Sequence, residues 1–62
     1  MYIYGIIDKN NCLIDVSKSE RGTKRYATLN GYSKIGFRNV NHYYATISHE
    51  KINNKWKEYE TV

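Results

Sequence analysis

The sequence has no proline, only one cysteine, and no long run of apolar residues. Because Cys12 is the only cysteine, an intrachain disulfide is excluded, and a reducing, cytoplasmic setting is the simplest expectation. No segment approaches the roughly 20 consecutive apolar residues that span a bilayer, and residues 1–7 lack the length and the basic leader of a signal peptide. We therefore expect a cytoplasmic protein without a membrane partner, in which Cys12 is a small core residue.

The chain is also poor in the patterns from which catalytic and metal sites are built. Its four glycines are scattered, so there is no glycine-rich phosphate loop. The two histidines have no cysteine or carboxylate at a metal-binding spacing. The acidic pairs Asp8 with Asp15 and Glu58 with Glu60 face no histidine or lysine in a recognisable catalytic arrangement. The sequence predicts neither an enzyme nor a metal or cofactor site.

The length sets the scale of the fold. Sixty-two residues suffice for one domain, spanning 1–62, but not for two. So short a chain buries only about 60% of its unfolded surface, and its stability is therefore marginal. A sheet with an open edge and an incompletely covered face gains stability by pairing with a second copy. We therefore expect a homodimer over a monomer.

Alternating apolar and β-branched residues predict five short strands. The strands are expected at 2–7, 12–16, 34–40, 43–50 and 55–60. Turn clusters at 8–11 and at Asn53–Asn54 join the first two and the last two strands, which is typical of β-hairpins. The fold class is therefore α+β: an antiparallel sheet of about five strands in the order ββαβββ, with one amphipathic helix packed on one face.

The helix is expected over residues 18–30. Ser17-Lys18-Ser19-Glu20 has the form of a capping box, and Gly31 supplies the left-handed residue that ends a helix. At 100° per residue, four cations of the helix fall within one arc about 120° wide: Lys18, Arg21, Lys24 and Arg25. We expect no acidic residue to pair with them on that face at a spacing of four positions. The opposite arc, expected to pack on the sheet, contains Gly22, Thr23, Tyr26, Ala27 and Leu29.

Positive charge is concentrated in one third of the chain. Ten Lys and Arg against six Asp and Glu give a net charge of +4. Six of these cations face only one acidic residue, Glu20, between residues 18 and 38, so this stretch carries +5 and the remainder −1. The six are Lys18, Arg21, Lys24, Arg25, Lys34 and Arg38. Such a concentration favours a nucleic acid or another anionic partner; the alternative is a solvated helix face.

The chain is also rich in tyrosine, with seven residues of this type. Six of them lie in or beside the predicted strands: Tyr2, Tyr4, Tyr32, Tyr43, Tyr44 and Tyr59. One helix cannot cover both faces of a five-stranded sheet, so some rings must be exposed or covered by a partner. Exposed rings stack on single-stranded bases or form protein interfaces, whereas buried rings support the core and cross-strand neighbours.

Part of the C-terminal half resembles a known DNA-binding sheet. Gly36-Phe37-Arg38-Asn39-Val40, followed by Tyr44-Ala45-Thr46-Ile47 and Lys55-Trp56, is similar to the three-stranded sheet of AP2-type and integrase-arm DNA-binding domains. Those domains read DNA with the sheet and carry a helix after it, whereas the helix of this chain precedes the matching strands. The resemblance implies DNA contacts at Arg38, Tyr44 and Lys55.

A second resemblance covers more of the chain. Gly22-Thr23-Lys24-Arg25-Tyr26-Ala27-Thr28-x-Asn30-Gly31-Tyr32, with Asn54-Lys55-Trp56, resembles short uncharacterised phage and prophage proteins. This implies a mobile-element origin, in which small proteins often inhibit a host defence complex. The hypotheses are therefore binding of nucleic acid or of a nucleic-acid-handling host complex, stoichiometric inhibition of a host defence protein of the anti-CRISPR type, and sequestration of an anionic signalling nucleotide.

Overall fold

A computed structural model describes residues 1–59 as five antiparallel strands and one helix, in the order ββαβββ. The elements are β1 (Tyr2–Ile7), β2 (Leu13–Ser17), α1 (Glu20–Asn30), β3 (Lys34–Asn39), β4 (Thr46–Ile52) and β5 (Lys55–Glu58). The sheet has the order β2-β1-β3-β4-β5, so β3 is its central strand and β2 and β5 are its edges. The predicted fold class is confirmed; Glu60, the end of the predicted last strand, lies outside the described residues.

Both predicted hairpin turns are confirmed, and their own side chains account for them. In the β1–β2 turn, the Asp8 Oδ1 atom accepts hydrogen bonds from the backbone N–H groups of Asn10 (2.9 Å) and Cys12 (3.0 Å). In the β4–β5 turn, Asn53 and Asn54 have φ values of 53° and 63°. Two successive left-handed residues match the twist of a tight hairpin, and asparagine tolerates this conformation.

The helix begins two residues later than the sequence predicts. Ser19, with extended backbone angles, is the N-cap, and its hydroxyl accepts the N–H of Gly22 at 3.1 Å. Ser17 is instead the last residue of β2, and its hydroxyl accepts the N–H of Ser19 at 3.1 Å. The expected capping box is therefore wrong, and Lys18 precedes the helix. Gly31, with φ of 78°, ends it as predicted.

The helix meets the sheet through small side chains. Ala27 packs with Ile6 and Ile35 in the buried cluster, and Thr23, one turn earlier, is also fully buried. Tyr26 and Leu29, predicted to face inward, are 43% and 75% exposed. The prediction fails because the close approach of α1 is centred on Thr23 and Ala27, which turns the two larger side chains away from the sheet.

Strands β1 and β3 each approach their outer neighbour in the sheet closely, β1 approaching β2 and β3 approaching β4. Gly5 and Gly36 face each other across β1 and β3, and each lies where a neighbouring strand shifts its register. A Cβ atom on Gly5 would lie 2.1 Å from the carbonyl oxygen of Ile14, and one on Gly36 would lie 2.5 Å from that of Thr46. Only glycine fits at these irregularities.

The pairing register defines two faces of the sheet. Ile6 lies opposite Ile35, and both pack beneath α1, so their side of the sheet is the helix face. Gly5 lies opposite Asp15, and Ile3 lies opposite Arg38, so these residues project from the other side, called here the open face. Cys12, expected in the core, is exposed just after the first turn. Within residues 1–59, no helix is long and apolar enough to cross a membrane.

Candidate nucleic-acid interface

Three of the six clustered cations have acidic partners. Lys24 lies 3.6 Å from Glu20 one helical turn earlier, Lys34 lies 3.8 Å from Glu50 on the neighbouring strand, and Arg38 lies 2.8 Å from Asp15. The expectation that no acid interleaves on the basic helix face is therefore wrong, because Glu20 lies in the first turn and reaches Lys24. The positive surface is smaller than the sequence indicates.

Arg38 connects three parts of the chain. Its Nε and Nη2 atoms donate to the two carboxylate oxygens of Asp15 at 3.3 and 2.8 Å, and its Nη1 atom donates to the carbonyl of His42 at 3.3 Å. The hydrogen bond to Asp15 raises the pKa of the Arg38 guanidinium above its usual value. Such a bidentate pair uses most of the planar donor fork. Arg38 is therefore engaged within the protein, although the sequence predicts a binding cation.

The other three clustered cations form the basic triplet, which we define as Lys18, Arg21 and Arg25. All three are exposed, and none has an acidic partner within 4.0 Å among residues 1–59. Arg21 and Arg25 are one helical turn apart, so they lie on the same side of α1. Lys18 lies in the short link between β2 and α1. The triplet is the surviving part of the predicted positive surface.

Exposed apolar residues gather at one end of the sheet, where β1 begins and β3 ends. This sheet-end cluster consists of Met1, Tyr2, Val40, Tyr43 and Tyr44, which make up five of the nine large hydrophobic residues exposed in the described chain. The N–H of Val40 donates to the carbonyl of Met1 at 3.3 Å, which joins the two strand ends. An exposed apolar surface of this kind is typical of binding sites.

The two tyrosines at positions 43 and 44 lie in a loop, not in the strand expected over 43–50, because β4 begins at Thr46. Tyr43 is fully exposed and Tyr44 is 74% exposed. The ring centroids of Tyr44 and His42 are 5.3 Å apart. On the helix face, the rings of Tyr2 and Phe37 pack edge-to-face, with their centroids 5.2 Å apart. The other strand tyrosines, at positions 4, 32 and 59, are half-buried.

The basic triplet lies at the same end of the sheet as this cluster. Strand β2 runs antiparallel to β1, and Ser17 lies opposite Tyr4, so β2 ends near the start of β1. Lys18 and the first turn of α1 follow there. Lys55, by contrast, starts the edge strand β5 beside Ile52, at the opposite end. Of the predicted binding residues, the fold therefore places Lys18, Arg21 and Tyr44 at one end of the sheet, with Arg25 one helical turn further along α1, and leaves Lys55 at the other end.

The sequence reasoning missed part of this surface. Tyr2, Tyr43 and His42 were not among the predicted binding residues, although Tyr2 and Tyr43 belong to the strand tyrosines noted above. The available signal was the turn Asn39–His42 directly before two adjacent tyrosines: the N–H of Asn41 donates to Asn39 Oδ1 at 3.0 Å. A turn of this kind places the residues after it at the surface.

A cleft at the opposite end bears on the nucleotide hypothesis. Its volume is about 550 Å³, and its lining includes Lys9, Tyr32 and Lys34. Lys34 is paired with Glu50, which leaves Lys9 as the one lysine of this lining without an ion pair in the described structure. This is a weak basis for holding a polyphosphate. No three His, Cys, Asp or Glu side chains among residues 1–59 are close enough together to hold a metal ion.

No family model, curated protein or solved structure matches this chain. The resemblances to phage proteins and to AP2-type sheets therefore stay predictions, as does the homodimer.

Proposed function

We propose that this protein binds nucleic acid, alone or within a nucleic-acid-handling complex, through the basic triplet and the sheet-end cluster. The observation that carries the proposal is the position of Lys18, Arg21 and Arg25. They are exposed and without acidic partners in the described chain, and the link to α1 begins at the end of the sheet where the loop with Tyr43 and Tyr44 follows β3. Cations beside aromatic rings are the combination that nucleic-acid-binding surfaces use.

The basic triplet and the aromatic rings of the sheet-end cluster contribute differently to binding. Cations that neutralise phosphates release counterions, which gives affinity without sequence preference and makes binding weaken with salt. Aromatic rings add contacts with bases that salt does not screen. The net charge of +4 favours association with a polyanion. The same charge disfavours mimicry of DNA, because a mimic has to be acidic.

The test is a fluorescence anisotropy titration of labelled oligonucleotides with the double variant Arg21→Glu with Arg25→Glu. Because both side chains are exposed, the variant should keep its thermal stability and lose at least about tenfold in affinity. The matched control, Lys55→Glu with Lys57→Glu, changes the net charge equally at the far end of the sheet and should lose clearly less. Equal losses in the two double variants would contradict the proposed surface.

A second candidate function is stoichiometric inhibition of a host protein, such as a defence protein. The observation that favours it is the apolar character of the sheet-end cluster, in which Met1 and Tyr43 are 76% and 101% exposed. Capture from a host lysate, with and without nuclease, separates the two candidates. A yield that nuclease abolishes supports nucleic acid. One protein captured equally after nuclease treatment, at one-to-one stoichiometry, supports the inhibitor.

A further inference from the structure

A groove on the open face continues from the loop that carries the exposed tyrosines. Its volume is about 530 Å³. The lining includes the apolar side chains of Ile7, Leu13 and Ile47, and Tyr43, Tyr44 and Arg38 also border it. The groove therefore runs from the sheet-end cluster toward the β1–β2 turn, along the side of the sheet that α1 does not cover. Its size is within the range of clefts that bind small molecules.

Residues 40–45, which join β3 to β4 and are called here the tyrosine loop, are tethered at the start of the loop. The N–H of His42 donates to the carbonyl of Asn39 at 2.9 Å, and the carbonyl of His42 accepts from Arg38. Arg38 is itself held by both carboxylate oxygens of Asp15. Tyr43 and Tyr44 follow directly after this anchor. An exposed ring on a tethered loop loses less conformational freedom on binding than a ring on a free one.

We propose that the nucleic acid bound by this protein is single-stranded, and that its bases stack on Tyr43 and Tyr44 and enter the open-face groove. This inference rests on the proposed function and specifies its ligand. The basic triplet lies on and beside α1, on the helix side, whereas the groove lies on the open face. A ligand that contacts both must bend around the end of the sheet.

Only a flexible strand meets this requirement. Duplex DNA is stiff over about 150 base pairs, and a duplex presents the faces of its bases only at its ends. A single strand bends freely and offers every base for stacking on an aromatic ring. Only three cations of the sequence cluster lie unpaired on this surface, fewer than the roughly 6–10 phosphate contacts of a duplex-binding protein with a steep salt dependence. Stacking supplies the affinity that three cations alone do not.

In this arrangement Arg38 is a positioning residue for the tyrosine loop, not a phosphate ligand. Its donor groups point to Asp15 and to the His42 carbonyl, so contact with a phosphate would require breaking those bonds. The two roles make opposite predictions for Asp15→Asn. Loss of the carboxylate would free a phosphate-binding arginine and tighten binding, but it would loosen a positioning arginine and weaken binding.

The first experiment compares labelled oligothymidylate, oligouridylate and a duplex of mixed sequence in anisotropy titrations. We expect both single strands to bind at least tenfold more tightly than the duplex. Tyr43→Leu and Tyr44→Leu should each lose about five- to tenfold in affinity for the single strands. The matched control is Tyr26→Leu, which removes an exposed tyrosine from the helix and should stay within about twofold of the unaltered protein.

The second experiment measures Arg38→Lys and Asp15→Asn, each checked for folding by its thermal transition. Arg38→Lys keeps the charge and loses the bidentate geometry. We expect it to lose about fivefold in affinity, with the salt dependence unchanged, and Asp15→Asn to lose affinity as well. Tighter binding by Asp15→Asn, with a steeper salt dependence, would make Arg38 a phosphate ligand and overturn its positioning role.

The outcomes separate this inference from the function on which it rests. If no oligonucleotide binds, both fail. If duplex and single strands bind equally, or the loop tyrosine variants bind as the unaltered protein does while Arg21→Glu with Arg25→Glu does not, the function stands and the single-strand inference is overturned. If the tyrosine variants lose only the capture of a host protein, the loop is a protein-binding surface and the inference is overturned.

Discussion

The salt dependence of nucleic-acid binding measures how many cations of this protein contact phosphates. For a single strand, the logarithm of the association constant falls with the logarithm of salt concentration by about 0.7 per neutralised phosphate. The basic triplet, Lys18, Arg21 and Arg25, therefore predicts a slope of about −2. All six clustered cations, which the sequence places together, would give about −4.

The two slopes are easily told apart. A rise from about 50 to 200 mM salt should lower the affinity about 20-fold for three cations and about 300-fold for six. Anisotropy titrations at four or five salt concentrations in this range measure the slope. The variants Arg21→Gln and Arg25→Gln should each make it shallower by about 0.7.

The matched control is Lys34→Gln, which removes the same charge from a lysine already paired with Glu50 at 3.8 Å. It should leave the slope unchanged. A slope near −4 that Lys34→Gln makes shallower would refute the assignment of three binding cations. A slope near zero would refute electrostatic binding altogether.

Three predictions concern stability and are measured by urea unfolding. Gly5→Ala should cost about 3 kcal/mol, because the added Cβ would clash with the Ile14 carbonyl. Gly31→Ala should cost about 1 kcal/mol, because its surroundings are open but its φ is 78°; equal costs would contradict the close approach at Gly5. Ser19→Ala should cost about 1 kcal/mol and Ser17→Ala less, and the reverse order would restore Ser17 as the N-cap. Ile35→Ala should cost about 2–5 kcal/mol and Tyr26→Ala, whose side chain is 43% exposed, at most about 1 kcal/mol; a similar cost for both variants would contradict the outward orientation of Tyr26.

The local features of this fold could be predicted from single residues. Asn53, Asn54 and Gly31 have positive φ angles, as expected of residues that tolerate the left-handed conformation. The alternation of apolar residues gave the number and order of the strands. These features depend on neighbours a few positions away, so the sequence carries their signal directly.

The orientation of the helix could not be predicted in the same way. A helical projection ranks the sides of α1 by composition, and Tyr26 and Leu29 made one side the more apolar. The contact with the sheet instead uses Thr23 and Ala27, because small side chains permit the close approach over Ile6 and Ile35. That choice depends on the shape of the opposing surface, which a projection of one helix does not contain.

The sequence by itself determined the fold class, the turns and the excess of positive charge, because each follows from local conformational preference or from composition. Only the tertiary structure decided which charges are available. Asp15 lies 23 positions from Arg38 along the chain, yet β2, β1 and β3 bring the two together. Long-range pairing of this kind engages Lys34 and Arg38 and leaves Lys18, Arg21 and Arg25 exposed on the helix side.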